Sequence, residues 1–186
     1  MEDSPAARDA REFPARPLVG VGAVVIHRGR VLLVRRGREP LKGRWSLPGG
    51  LVEAGEELTR ALRRELREET NLEVKPTALI GVFERIVRDQ RRARLGRQRR
   101  ARYHYIILDY ACQYKAGRLR PASDATDARW VRPAELAKYR LTAQVRRVVL
   151  EAVRLSGAPG SAGFQPAQHA AKMAALPGSL PERKGD

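Results

Sequence analysis

From Leu18 to Ile26 the chain is apolar and rich in valine, and Val31 to Val34 is apolar again, with His27-Arg28-Gly29-Arg30 between them. Two β-branched runs around a glycine-containing turn predict a hairpin. Trp45-Ser46-Leu47 predicts a further strand, and Pro48-Gly49-Gly50 then forces a turn. Glu56 to Thr70 contains strong helix formers, acidic residues at its start and no Gly or Pro, which predicts a helix. Asn71 stands where that helix should stop, and Asn is the usual alternative to Gly for a left-handed cap. Val74 to Val87 predicts one or two strands, broken near Pro76 and at Gly81, and Tyr103 to Tyr110 predicts another. Asp127–Val131 reads as a short strand. Pro133 opens a short helix over Ala134–Tyr139, and Thr142–Leu155 carries Val145, Val148, Val149, Ala152 and Val153 on one helical face. Strands interleaved with helices predict an α/β fold, most simply a mixed sheet between helices.

Composition adds bounds to this picture. A length of 186 residues suits one domain with tails. We place the domain at residues 17–155, with 1–16 and 156–186 as disordered tails without chemistry, because Gly, Pro, Ala and Gln replace core-forming residues beyond Ser156. The single cysteine, Cys112, lies in an apolar run and reads as a buried structural thiol. The start of the chain lacks the apolar core of a signal peptide, and no stretch approaches the length needed to span a bilayer. The expectation is a cytoplasmic protein without a membrane partner.

The net charge of +16 raises the question of nucleic acid. Two features weigh against it. Of the 37 basic residues 31 are arginine, as GC-rich codon usage alone would give. The charge is also uneven, because Arg88, Arg91, Arg92, Arg94, Arg97, Arg99, Arg100 and Arg102 crowd into one stretch. Residues 88–102 therefore read as a solvated basic loop, and the basic surface favours small anionic substrates.

The chemistry concentrates on the first helix. Projected at 3.6 residues per turn, Leu58, Ala61, Leu62 and Leu66 form one stripe, the face expected to pack on the sheet. Glu65 and Glu69 fall in the centre of that stripe and Glu68 borders it, whereas Arg60, Arg63, Arg64 and Arg67 lie opposite. A buried carboxylate must be protonated, paired or bound to a cation. Pairing with arginines elsewhere is one reading. The other is a divalent cation, because three carboxylates within little more than a turn repel one another and an all-oxygen set selects hard ions.

Gly50, Glu56 five residues beyond it, and Arg64-Glu65-Leu66-Arg67-Glu68-Glu69-Thr70-Asn71-Leu72 after seven more together resemble the Nudix box. Every defined position agrees except Asn71, where the family has Gly, a left-handed cap that Asn also performs. The resemblance implies an α/β/α sandwich around a mixed β-sheet and metal-dependent hydrolysis of a nucleoside diphosphate linked to another group. By position it makes Glu65, Glu68 and Glu69 the ligands of Mg2+ or Mn2+, helped by the Gly50 carbonyl, with Glu56 holding Arg64. It names Glu68 as a candidate general base and is compatible with a homodimer. Asp124 and Asp127, before Trp130, are candidate substrate-binding residues, and each reads equally as a turn residue.

Three substrate readings stay open. Val19-Gly20-Val21-Gly22-Ala23-Val24-Val25 and Tyr103-His104-Tyr105 look similar to family members assigned as ADP-ribose pyrophosphatases, which release AMP and ribose 5-phosphate. The second reading is a nucleoside-triphosphate pyrophosphohydrolase clearing oxidised or non-standard nucleotides. The third is a nucleotide-sensing or nucleic-acid-binding regulator with Arg91–Arg102 as its contact arm. Retention of all three box carboxylates argues against a regulator, and the absence of aromatics between the arginines argues against single-strand stacking.

Overall fold

The computed structural model describes residues 11–89 and 100–157. Its strands are β1 (Leu18–His27), β2 (Arg30–Arg36), β3 (Trp45–Ser46), β4 (Gly49–Leu51), β5 (Leu72–Arg88), β6 (Ala101–Gly117) and β7 (Ala125–Val131). The helices are α1 (Leu58–Thr70) and α2 (Ala143–Gly157), with a 3₁₀ helix over Pro133–Tyr139. The hairpin forms as the pattern predicts: Ile26 pairs with Val31, and Arg28 and Gly29 both take positive φ. That geometry matches the twist of the flanking strands.

The sheet is mixed, in the order β3-β2-β1-β6-β5, with β4 also on β1 and β7 also on β2. β1 and β6 are parallel, Leu18–Ile26 lying beside Tyr105–Gln113, and every other pairing is antiparallel. One face packs Val21, Ala23 and Val25 against Ala61, Leu62 and Leu66 of α1. The other packs Val24, Leu33 and Ile80 against Val148, Val149 and Ala152 of α2. This is the α/β sandwich, two helical layers around a mixed sheet. Among the described residues no helix is long and apolar enough to cross a membrane.

Several boundaries differ from the sequence reading, each for a local reason. α1 begins at Leu58, not Glu56, because Gly55 at positive φ turns the chain and the Glu56 N–H donates to the Glu53 carbonyl. β5 is one strand, and the expected breaks at Pro76 and Gly81 appear as bulges that the long partner β6 absorbs. β6 extends well beyond Tyr103–Tyr110, and β7 starts at Ala125 rather than Asp127. The Pro133 segment is a 3₁₀ helix, and α2 runs to Gly157, past Leu155. Asn71 caps α1 at φ 58° and ψ 27°, its N–H donating to the Arg67 carbonyl. Cys112 is buried, and burial pushes its thiol up to about 12.

Glu12 and Phe13, read as tail, lie against β6. The Phe13 N–H donates to the Arg102 carbonyl, Tyr103 Oη donates to Glu12 at 2.6 Å, and Arg102 donates to Glu12 at 2.9 Å. Of the basic loop, Arg88 belongs to β5 and Arg102 to β6. Residues 90–99 and 158–186, which hold most of that loop and most of the other tail, lie outside the described residues.

Candidate active site

The site starts from how β4 meets β1. Gly49 pairs with Gly22 and Gly50 with Val21. Gly49 has φ 144°, and a Cβ there would collide with the Val21 carbonyl, so only glycine fits. A Cβ on Gly50 would occupy the space taken by the Glu65 carboxylate. The two glycines therefore let α1 bring its carboxylates against bare backbone. Leu62 and Leu66, both fully buried, anchor the helix there, each worth roughly 1.5–3 kcal/mol of apolar burial.

Glu69 is 6% exposed, and its Oε2 accepts the Gly49 N–H at 2.9 Å. Burial pushes its carboxyl up to about 8, opposed by that hydrogen bond and reinforced by Glu65. Burial also raises Glu65, with Arg64 opposing. Glu68 is different: its side chain is 49% exposed and lines a second groove with Glu56, Arg64 and Arg67, outside the pocket that Glu65 and Glu69 line. Among the described residues no three such groups are already gathered as a cation site. Glu65 and Glu69 line the pocket together, and Glu68, on its solvent side, shares Arg64 Nη1 with Glu65 (3.6 and 2.8 Å) and lies near enough to raise the Glu65 carboxyl.

Arg64 ties the cluster to the preceding loop. Its Nε and Nη2 donate to the two Glu56 oxygens at 3.0 and 2.8 Å, Nη1 donates to Glu65 at 2.8 Å, and Nη2 also donates to the Leu51 carbonyl at 3.0 Å. Glu56 holds its carboxyl below the usual range chiefly through that bidentate pair. The helical projection put Arg64 opposite the apolar stripe, yet its long side chain reaches back along the helix to Glu65.

The main pocket brings Gly50, Glu65, Glu69 and Asp124 together with Arg11, Arg36 and Arg85. Asp124 sits near enough to Glu65 and Glu69 to disfavour their charges. Arg38 Nε lies 2.8 Å from Asp124 Oδ1 without the alignment of a hydrogen bond. Asp127 is not in this pocket; it accepts two hydrogen bonds from Arg129, the shorter 2.7 Å. Arg85 is half-buried without a carboxylate partner among the described residues, and burial with the nearby Arg36 and Arg44 lowers its pKa. Arginines crowded in this way favour an incoming anion.

The sequence reading missed Arg11, Arg36, Arg85 and Asp109. The arginines were indistinguishable among 31, and Arg11 lay in a segment set aside as tail. Asp109 did leave a signal, a lone carboxylate in the run Ile106-Ile107-Leu108-Asp109-Tyr110.

The raised carboxyls carry a sign for stability. With a folded value near 8 against an ordinary 4.5, Glu69 binds more protons folded than unfolded, so the cation-free fold loses stability as pH rises through that interval. Glu65 and Asp109, both raised by burial, act in the same direction. In EDTA, the thermal midpoint should fall by roughly 5 °C or more between about pH 5 and 8. Scanning calorimetry checks this, and a midpoint that rises over the interval would contradict the assigned protonation.

Comparisons agree with this geometry. Residues 16–152 match the model of the NUDIX domain. The chain is 33% identical over 123 residues to an ADP-ribose pyrophosphatase of Methanocaldococcus jannaschii, covering 65% of this chain and 66% of that one. It is 32% identical over 108 residues to the nucleoside triphosphatase NudI of Escherichia coli, covering 58% and 74%. Among solved structures, a MutT NUDIX hydrolase from Burkholderia pseudomallei superposes with a TM-score of 0.60 at 29% identity, covering 73% of this chain and 98% of that one. The matched region thus spans just under two thirds of the archaeal relative. Hydrolases of this family act on pyrophosphate bonds of nucleotide derivatives and generally require divalent metal ions. With its box residues assembled at β4 and α1 and its family model matched across the sheet, the chain belongs to the NUDIX domain family.

Proposed function

We propose that this protein is a Mg2+-dependent hydrolase of the diphosphate bond in ADP-ribose, releasing AMP and ribose 5-phosphate. The observation that carries the reading is the two-pole pocket, with Glu65, Glu69 and Asp124 at one end and Arg11, Arg36 and Arg85 lining the same cavity. Glu65, Glu69 and the Gly50 carbonyl would hold the cation. The donor set fits: all its atoms are hard oxygens, the glycine leaves room for the carboxylate, and Mg2+ favours one or two carboxylates plus substrate phosphate over a protein cage. When bound, the ion neutralises phosphate charge and activates water. The arginines screen the remaining phosphate charge and orient the diphosphate. Arg64 fixes the Glu65 rotamer, and Glu68 at the solvent edge extends the acidic face.

The archaeal relative, at 33% identity, supports ADP-ribose as the substrate. A second reading, a nucleoside-triphosphate pyrophosphohydrolase, is favoured by the relative NudI at 32% identity. Incubation with ADP-ribose and a panel of ribo- and deoxyribonucleoside triphosphates, followed by chromatography of products, separates the two. We expect AMP and ribose 5-phosphate in equal amounts, lost in EDTA. Pyrophosphate release from triphosphates with ADP-ribose left intact would transfer the assignment to the second reading.

A further inference from the structure

Asp109 is a buried carboxylate on β6 that the box chemistry does not use. It is 4% exposed, yet it lines the main pocket with Gly20, Gly22 and Ile107. Its carboxylate lies over Gly22, the residue it pairs with across the parallel β1–β6 ladder, and a Cβ on Gly22 would run into Asp109 Oδ1. Burial alone pushes its carboxyl up to about 6, with no charged neighbour contributing. Among the described residues no side chain or main-chain donor is bonded to it. Its oxygens are not sealed off, because Asp124 Oδ1 alone is an enclosed acceptor without a partner among the described residues, so Asp109 takes its donors from whatever fills the pocket. The pocket is where they can enter.

The position narrows what those donors are. Gly49, Gly22 and Asp109 form one row across β4, β1 and β6. The Asp109 carboxylate, lying over Gly22, is therefore one strand spacing from Gly49, about 5 Å. Gly49 donates to Glu69, so it marks the cation end of the pocket. No charged neighbour acts on Asp109, so it repels phosphate and suits a neutral hydroxyl donor. From a phosphorus held at Glu69, the run O5′–C5′–C4′–C3′ reaches a ribose cis-diol within that spacing, whereas a base edge lies beyond the glycosidic bond. A carboxylate has two acceptor oxygens for two vicinal hydroxyls. Gly20, two residues before Gly22 on β1, leaves bare backbone beside the carboxylate on which a sugar ring can rest.

We propose that Asp109 is a specificity-determining residue that accepts hydrogen bonds from the 2′,3′-diol of the nucleoside ribose, so that the enzyme selects ribonucleotides over 2′-deoxyribonucleotides. The inference rests on the pocket being the nucleotide site, and it extends that reading from the diphosphate to the sugar.

The test compares kcat/KM for ribo and 2′-deoxy forms of one nucleotide in wild type, Asp109→Asn and Gly22→Ala. ADP-ribose against its 2′-deoxyadenosine analogue is the first pair, and ATP against dATP is the second. Whichever pair is turned over supplies the ratio, so failure of the ADP-ribose assignment leaves this inference testable. Wild type should prefer the ribo form by about 10–100-fold, as loss of a hydrogen bond to a charged group predicts. Asp109→Asn should reduce that preference to within a few-fold of unity. Gly22→Ala, which displaces the carboxylate without removing it, should reduce it too, and it covers the case in which Asp109→Asn does not fold. A wild-type ratio near one would overturn the proposal. So would a ratio kept in both variants.

Discussion

Glu69→Gln is expected to lower Mg2+-dependent turnover roughly 10³-fold, the scale of several kcal/mol that metal assistance supplies. The amide keeps the size of the carboxylate, and its oxygen can still accept the Gly49 N–H, so the α1–β4 junction should survive. What disappears is the charge. In the cation-free protein that charge is a burden, since burial holds the group near 8. The variant should therefore melt higher than wild type in EDTA at pH 8 and gain little from added Mg2+. Steady-state product release and paired melts with and without the ion measure both halves. Turnover within a few-fold of wild type would remove Glu69 from the mechanism.

Arg64→Lys should cost about 10–100-fold in kcat/KM, the usual effect of losing a group that orients a ligand, and Arg64→Ala at least as much. The guanidinium fork meets both Glu56 oxygens, Glu65 and the Leu51 carbonyl at once, and an ammonium cannot span those directions. Arg64→Ala further leaves Glu56 and Glu65 without their cation, and the melting temperature should fall by about 5 °C or more. Glu65 then moves, and the Mg2+ concentration for half-maximal activity should rise. If that concentration stays fixed while the protein merely melts lower, Arg64 is a structural brace with no part in cation binding.

The features that were legible in the sequence are those governed by local rules. A 3.6-residue period placed Glu65 and Glu69 in the buried stripe, and the structure buries Ala61, Leu62, Leu66 and Glu69 together. Asn71 announced the helix end through its own backbone preference. Glu68, on the border of the stripe, turned out to face the outer groove. What sequence could not rank was anything decided by pairing across the sheet. Asp109 becomes notable only because β6 lies beside β1 and meets a glycine there. Arg85 becomes notable only because β5 carries it to the same pocket as Arg36. Asp124 and Asp127 looked equivalent, but Asp124 precedes β7 at the pocket while Asp127 lies within the strand and pairs with Arg129.

The parallel pairing of β1 with β6 has a kinetic consequence. The hairpin and α1 form from neighbouring residues, but Leu18–Ile26 must wait for Tyr105–Gln113, most of the domain's length away. Closing so long a loop before any compensating contact forms is slow, so the topology places this step late in folding. The acidic helix can exist early. The sugar floor, the arginine rim and the packed sheet arrive as one event. A nascent chain therefore carries exposed valine-rich β1 until β6 has left the ribosome, and that interval is when it is most exposed to aggregation.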